Sequence, residues 1–337
     1  MTLYVNFSLT KLIFFVNLVF IMVNNTLSTK YKILELLRNS SGNMSGESIA
    51  IKTGVSRVSV WKAVQSLQEA GYGISSTKNG YCLENDLQDS LYPWEFGEDE
   101  NQFIHFAQTK STMIEAHRIA EEDSSNSCSK IITSDKQTEG QGHNNHKWVT
   151  TKGSLAYTVI THNKLSVSES HRITMASQIA LANVLTKIDQ RKFYVRWPND
   201  VWSEKGKVAG VLDELSASGS LCRWINLGVG VNLTKNPSIA STDFVCSNKK
   251  SFTRKEVLSL FLKEFNVQEK IATENSSELA NEWDKLCFDK KKEVRLSSNG
   301  KKYIFKGIDN YGWIKLSSNE SNEKIVLPPG TDSFIKK

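Results

Sequence analysis

From residue 30 the apolar positions Ile33, Leu36 and Leu37 recur at helical spacing, which predicts a helix over KYKILELLRN. A polar break, SSGNM, follows. Ser45 then stands where an N-cap belongs, Glu47 falls in the first turn, and Gly54 suits a left-handed C-terminal position. Ser56 opens a third helix, RVSVWKAVQSLQEAG, whose buried stripe is Val60, Val64 and Leu67 and whose end is Gly71. The pattern then switches to short strands in YGISSTKNGYCLEN, folded about an Asn79-Gly80 turn. Helix, helix, tight turn, helix and hairpin predict a winged helix-turn-helix over residues 29–85. Its third helix would enter a major groove, with Ser56, Arg57, Ser59 and Lys62 as the DNA-contacting candidates. The plainer alternative is a helical packing module with Arg57 and Lys62 on a solvated face.

Residues 86–101 are acidic, with one proline and one glycine, and are expected to be a linker. The block 102–286 alternates strand and helix patterns. NQFIHFAQT, KIITSDKQT and SLAYTVITH read as strands, with a helix around IEAHRIAEE between the first two, and FYVRWPNDVW, KVAGVLDELSA and CRWINLGVGVNL are rich in β-branched and aromatic residues. SVSESHRITMASQIALANVLTKI is a long helix, and TRKEVLSLFLKEF and SSELANEWDKL are two more. This predicts an α/β domain with a mixed sheet. The tail, 287–337, alternates apolar and polar positions in four short runs, which fits an SH3-like β-barrel. The fold class expected is therefore α+β multidomain.

Composition adds bounds. The chain has 337 residues, 39% hydrophobic and 23% charged, as for a folded protein of two or three domains. Net charge is +6, which permits a polyanion partner without demanding one. Over 29–85 seven Lys/Arg stand against four Asp/Glu, about +3, which favours nucleic acid there. The five cysteines are scattered without a C-x-x-C pair, against zinc or a disulfide framework and for a reducing, cytoplasmic compartment. Residues 12–23, LIFFVNLVFIMV, are too short to span a membrane comfortably, and no small-residue cleavage site follows. Residues 1–28 are expected to be a disordered leader or an over-extended start, with Met22 an alternative to Met1.

Three stretches of the central block carry candidate chemistry: Gln137-Thr138-Glu139-Gly140-Gln141-Gly142, then Arg196-Trp197-Pro198-Asn199-Asp200 with Lys207-Val208-Ala209-Gly210 behind it, then Gly228-Val229-Gly230-Val231-Asn232. One G-x-G is weak, but WPND, a lysine in K-V-A-G and G-V-G-V-N together are specific. The set resembles the biotin–protein ligases and, with Ser56-Arg57-Val58-Ser59-Val60-Trp61-Lys62 and Gly307-Ile308-Asp309, their bifunctional class of ligase and biotin operon repressor. The resemblance covers residues ~30–337 and implies a class II synthetase-like catalytic domain. It implies ATP, Mg²⁺ and biotin, formation of biotinyl-5′-adenylate, and transfer of biotin to a lysine of a carboxylase carrier domain. It also implies operator DNA and a ligand-dependent homodimer as partners.

The resemblance assigns Lys207 to the carboxylate and phosphate, although a surface hairpin lysine is the alternative. Asn199 and Asp200 would orient Lys207 or help hold Mg²⁺, or Asp200 would assist the acceptor lysine. Ser111 and Thr112 match the hydroxyl pair of the family's S-T-N element, with Met113 in place of Asn. Gln137 matches a biotin contact. Gly210, Leu212, Gly228, Val229 and Asn232 would line the site, Leu212 with core packing as its alternative.

The loop departs most. Gly140, Gly142 and Trp148 keep the register of Gly-Arg-Gly-Arg…Trp, but Gln141 and His143 replace both arginines. Arginine supplies permanent charge and a bidentate fork; glutamine supplies neither, and histidine is charged only when protonated. Either the loop still orders over the adenylate through backbone N–H groups and Lys147, or it holds the adenylate loosely. His143 and His146 lack the acidic or Cys partners of a metal site. Two other functions stay open: a DNA-binding biotin sensor with weakened ligation, and a lipoate or octanoate ligase.

Overall fold

The computed structural model describes residues 27–123, 129–143, 147–235, 242–245, 252–318 and 324–331. The leader expected over 1–28 lies outside them except for its last two residues, and so does the turn expected at 124–128. The chain divides into two compact units, one ending at Phe103 and one running from Ile104.

In the first unit, Ser28 caps α1 (Thr29–Arg38), Ser45 caps α2 (Gly46–Thr53) and Ser56 caps α3 (Arg57–Glu69). Each serine oxygen accepts an N–H that the first turn would otherwise leave unpaired. Gly54 takes φ 71°, which ends α2 and turns the chain into α3. Strands β1 (Gly73–Thr77) and β2 (Gly80–Asn85) form the hairpin, with Thr77 opposite Gly80. Ile33, Leu34, Leu37, Ile49, Val60, Val64 and Leu67 make the core; Leu36, assigned to the stripe, is only partly buried. The stretch expected as a linker is not a loose tether. Leu91, Trp94 and Glu95 are buried. Glu95 accepts from Arg38 (2.7 Å) and from the Tyr72 hydroxyl (2.5 Å), and Asp86 accepts twice from Arg38. An acid that seats a helix-borne arginine is thereby drawn into the packed unit.

The second unit is built on a seven-stranded sheet of order β3-β4-β5-β9-β8-β7-β6. Its strands are β3 (Phe103–Phe106), β4 (Lys130–Ser134), β5 (Leu155–Thr161), β6 (Tyr194–Arg196), β7 (Asp200–Ser203), β8 (Gly206–Ser218) and β9 (Leu221–Val231). From β4 to β6 the pairings are antiparallel, while α4 (Thr112–Glu122) crosses from β3 to β4 and the bridge Thr109↔Gln137 beyond them is parallel, so the sheet is mixed. Strand alternation sorts side chains onto two faces. Thr158, Gly228 and Leu212 share one face with α4. Tyr157, Val229 and Val211 share the other, under α5 (His171–Asp189) and α6 (Arg254–Glu274), where Tyr157 packs on Phe261.

Helix α7 (Ser276–Leu286) leads to a small antiparallel sheet, β10 (Glu293–Arg295), β11 (Lys302–Ile308), β12 (Ile314–Ser317) and β13 (Lys324–Leu327), in that order. The four expected strands are present, but among the described residues they do not close into a barrel. This sheet is fastened to the larger one. Arg196 pairs with Asp289 (2.6 Å), the Trp197 indole donates to Gly312 O (3.2 Å) and Arg172 Nε donates to Asn310 O (2.8 Å).

Candidate active site and nucleic-acid face

Strands β8 and β9 pair Gly210 with Gly230 and Leu212 with Gly228, and these four form the floor of a slot. A side chain at residue 230 would run into the Trp148 indole, and an added Cβ at residue 228 would lie 2.6 Å from Met113 Sδ. The missing side chains therefore let the indole and the thioether lie directly on the backbone. The slot is narrow, about 40 Å³. Of the residues singled out in the sequence, Ser111, Thr112, Met113, Gln137, Gln141, Gly142, His143, Trp148, Asn199, Lys207, Gly210, Leu212, Gly228 and Val229 line it. Gly230→Ala is expected to lift Trp148 and weaken binding of the slot's ligand by about tenfold or more, read by calorimetric titration; unchanged affinity would refute this packing.

One end of the slot is neutral and hydroxylic. The Thr112 N–H and hydroxyl both donate to Gln137 Oε1 (2.8 and 3.2 Å), and Thr158 donates to Thr112 Oγ1 (2.9 Å). Ser111 caps α4, accepting from Met113 N (3.3 Å). This end can orient a ligand through hydrogen bonds but supplies no charge.

The other end holds a cation. Lys207 Nζ sits 2.5 Å from Asp200 Oδ1 and 6.0 Å from the Trp148 ring centroid. Asp200 is not in the slot wall; it backs Lys207 and accepts from Trp202 Nε1 (3.3 Å). Asn199 Nδ2 donates to Val211 O (2.5 Å) while Val211 N donates to Asn199 O (2.9 Å), which clamps the motif to β8. Behind it lies Gln178, wholly buried on α5, donating to Arg196 O (3.1 Å) and Asp200 O (3.0 Å) and accepting from Trp283 (2.8 Å). Sequence reasoning missed Gln178, although a glutamine on an apolar helix face is a signal of a buried hydrogen-bonding duty. It also missed Tyr157, Val211 and Gly230 in the slot wall.

The loop folds back on itself. Trp148 N donates to Gly140 O (2.9 Å), Gln141 bridges Lys147, and a Cβ on residue 140 would come 2.5 Å from Trp148 O. Gly140 thus shapes the loop without lining the slot. Residues 144–146, with His146, lie outside the described residues. Asn232 also stands apart from the slot: it is buried, and its backbone donates to Val208 O (2.9 Å) and accepts from Val245 N (2.8 Å). His143 and Asn199 border a second cavity of about 290 Å³, lined also by His171, Asp213, Trp313 and Pro328. Burial, then the neighbouring His143, hold the His171 imidazole below its usual pKa, against Asp213.

On α3, Arg57 and Lys62 are exposed. Ser56 and Ser59 are turned to one another (3.0 Å) in the cap. Val58 and Trp61, exposed by 61% and 49%, were not anticipated on this face. A groove of about 510 Å³ runs between α3 and the hairpin, lined by Ser45, Arg57, Trp61, Lys78 and Tyr81 among others. Among the described residues no helix is long and apolar enough to cross a membrane, and no three His, Cys, Asp or Glu side chains cluster as a metal site.

Residues 29–82 match an HTH domain, and residues 105–232 match the Biotin/lipoate A/B protein ligase family. The chain is similar to the bifunctional ligase/repressor BirA of Bacillus subtilis, 25% identical over 63% of this chain and 67% of that protein. It is similar to the Escherichia coli protein of the same name, 23% identical over 88% of this chain and 94% of that one. Among solved structures, the Aquifex aeolicus biotin protein ligase in complex with biotin and ATP shares the fold, with TM-score 0.58 and 24% identity over 70% of this chain and 99% of that one. The glycine-floored slot therefore lies within the residues that match the ligase family, and α3 within those that match the HTH domain.

Proposed function

We propose that this protein activates biotin with ATP and transfers it to a carrier-domain lysine, and that its HTH domain represses biotin genes when the adenylate is bound. The observation that carries the reading is the Lys207–Asp200 pair at the charged end of a slot whose other end is the Ser111, Thr112 and Gln137 network. A bicyclic urea fits the hydroxylic end, and its valerate tail then runs over Gly228 and Gly230 to Lys207. A carboxylate oxygen attacks the α-phosphorus of ATP, forming an acyl–phosphate anhydride and releasing pyrophosphate. Two anions must meet, so charge and placement dominate over proton transfer. In the second step the acceptor amine attacks the acyl carbon and AMP leaves. Asp200 is the carboxylate placed to take the amine's proton once Lys207 turns to the phosphate.

Among the described residues the one acidic side chain beside the slot's charged end, Asp200, is already engaged by Lys207, so these residues build no dedicated Mg²⁺ cage. Mg²⁺ fits as part of the MgATP substrate, with its own phosphate and water ligands. The test is incubation with MgATP, labelled biotin and an apo carrier domain. Label on the carrier lysine supports ligation. Biotin bound without transfer favours a DNA-binding sensor, the reading that Gln141 and His143 favour. Transfer of octanoate in place of biotin sinks both.

For DNA, Arg57 and Lys62 are read as phosphate or base-edge contacts, with Ser56 and Ser59 presenting the helix start. Arg57→Ala with Lys62→Ala is expected to abolish operator retardation, to lower the log–log salt slope by about 2, and to spare ligation. Equal retardation by both proteins would displace α3 from this role. A ligand-dependent homodimer is also part of the reading. Strand β7 pairs with β8 only up to Gly210, so residues 212–218 leave a sheet edge without a partner strand among the described residues. Sedimentation of the operator complex, with and without adenylate, reads whether two copies bind together. We propose further that the C-terminal strands are part of an SH3-like barrel closing over the second cavity.

A further inference from the structure

Lys207 lies beyond the end of the β8–β9 ladder, whose last pair is Ala209↔Val231. On one side Lys207 pairs with Trp202 of β7 across the hairpin, which leaves the β9 side of its backbone open. A different piece of backbone takes over the edge. Asp243 N donates to Lys207 O (2.9 Å), and Thr242 forms a parallel bridge with Lys207. Val245 N donates to Asn232 O (2.8 Å), which ties the same piece to the end of β9.

One carboxylate pins this piece. Asp243 is 7% exposed, and its Oδ2 accepts from Ser203 Oγ (2.6 Å) and from Arg191 Nη1 (2.9 Å). Arg191 Nη2 also donates to Phe244 O (2.8 Å), and its Nε donates to Asp189 Oδ2 (2.6 Å). Ser203 ends β7 and accepts from Lys205 N (3.0 Å) inside the turn that leads to Lys207. Asp243 therefore holds both the turn before Lys207, through Ser203, and the carbonyl of Lys207 itself, through its own N–H. A buried carboxylate with a guanidinium and a hydroxyl on one oxygen is a costly arrangement to keep unless its geometry is used.

We propose that Asp243 is a positioning residue for adenylate formation: locked by Arg191 and Ser203, it fixes the backbone of Lys207 and so the place of its ammonium. The proposal rests on the reading of Lys207 given above. The effect expected is on turnover, because a reacting group displaced by about 1 Å can lose ~10²-fold in rate.

The experiment measures biotin-dependent adenylate formation in the full chain for Asp243→Ala, Asp243→Asn and Ser203→Ala. Asp243→Ala is expected to lower kcat by ~10²-fold with KM for biotin changed by less than about twofold. Asn still accepts from Ser203 and is expected to recover about tenfold of the loss, with Ser203→Ala about tenfold below the parent. In a Lys207→Ala background, removing Asp243 is expected to change the remaining rate by less than about twofold, since no ammonium is left to place. If Asp243→Ala does not fold, the other two variants decide. Parental kcat in both, or an equal fractional loss without Lys207, overturns the proposal. Full adenylate formation by Lys207→Ala alone would refute the Lys207 reading itself.

Discussion

Lys207→Ala is expected to lower adenylate formation by ~10³-fold or more while biotin still binds. In the proposed reading the slot holds biotin through its hydroxylic end and its glycine floor, and neither involves the lysine. The reaction, by contrast, brings a carboxylate against a triphosphate, and Lys207 supplies the cation at the charged end of the slot. Removing it has a second consequence. Asp200 is largely buried, with 17% of its side chain exposed, and loses its 2.5 Å partner. The loss leaves a bare carboxylate beside two approaching anions, so truncation costs more than the lost attraction alone. Asp200→Asn on its own should cost less. The double variant, Lys207→Ala with Asp200→Asn, is expected to recover about tenfold over Lys207→Ala, because the repulsion is gone. Single-turnover formation of the adenylate, beside calorimetric biotin affinity, checks both. Near-parental turnover in Lys207→Ala would remove it from the chemistry.

The parts of this protein legible in the sequence are those that local physics writes locally. Ser45, Ser56 and Gly54 are cap signals whose meaning does not depend on distant contacts, and the structure uses all three as caps. Gly228 and Lys207 were legible because an absent side chain or a lone cation in a β-rich run is informative in itself. What escaped is long-range. Gln178 holds the backbone of residues 196 and 200 from another element, and Asp243 serves Lys207 from 36 residues away. Neither contact leaves a periodic trace. Glu95 was read as one charge in an acidic linker because sequence shows the charge and not the Arg38 that draws it inward. The expected barrel failed to close among the described strands for the converse reason: alternation shows strands, but closure depends on their lengths and partners. On α3, Trp61 was noticed as part of a motif but not as an exposed apolar side chain beside the groove, which depends on how the hairpin packs.

Gln141→Arg with His143→Arg is expected to slow release of biotinyl-adenylate by ~10²-fold, from two charge-assisted hydrogen bonds at about 1.5 kcal/mol each. Both residues line the slot, and the loop that carries them is already folded back by Trp148 N on Gly140 O. The substitutions therefore add charge to a preformed loop, not a new fold. Gln141 can donate one neutral hydrogen bond to a phosphate, and His143 offers charge only when protonated. Arginine at each place brings a permanent fork. The natural loop would thus favour passing the adenylate on over keeping it. In that case the arginine variant should hold the adenylate longer, repress at lower biotin and transfer more slowly to the carrier. Off-rates from stopped-flow quenching of Trp148, compared for the two proteins at neutral pH, measure the difference. Equal off-rates would mean that backbone N–H groups alone retain the adenylate and that the lost arginines carry no energetic role. A natural off-rate that slows as pH falls, with the arginine variant flat, would identify protonated His143 as the residue standing in for them.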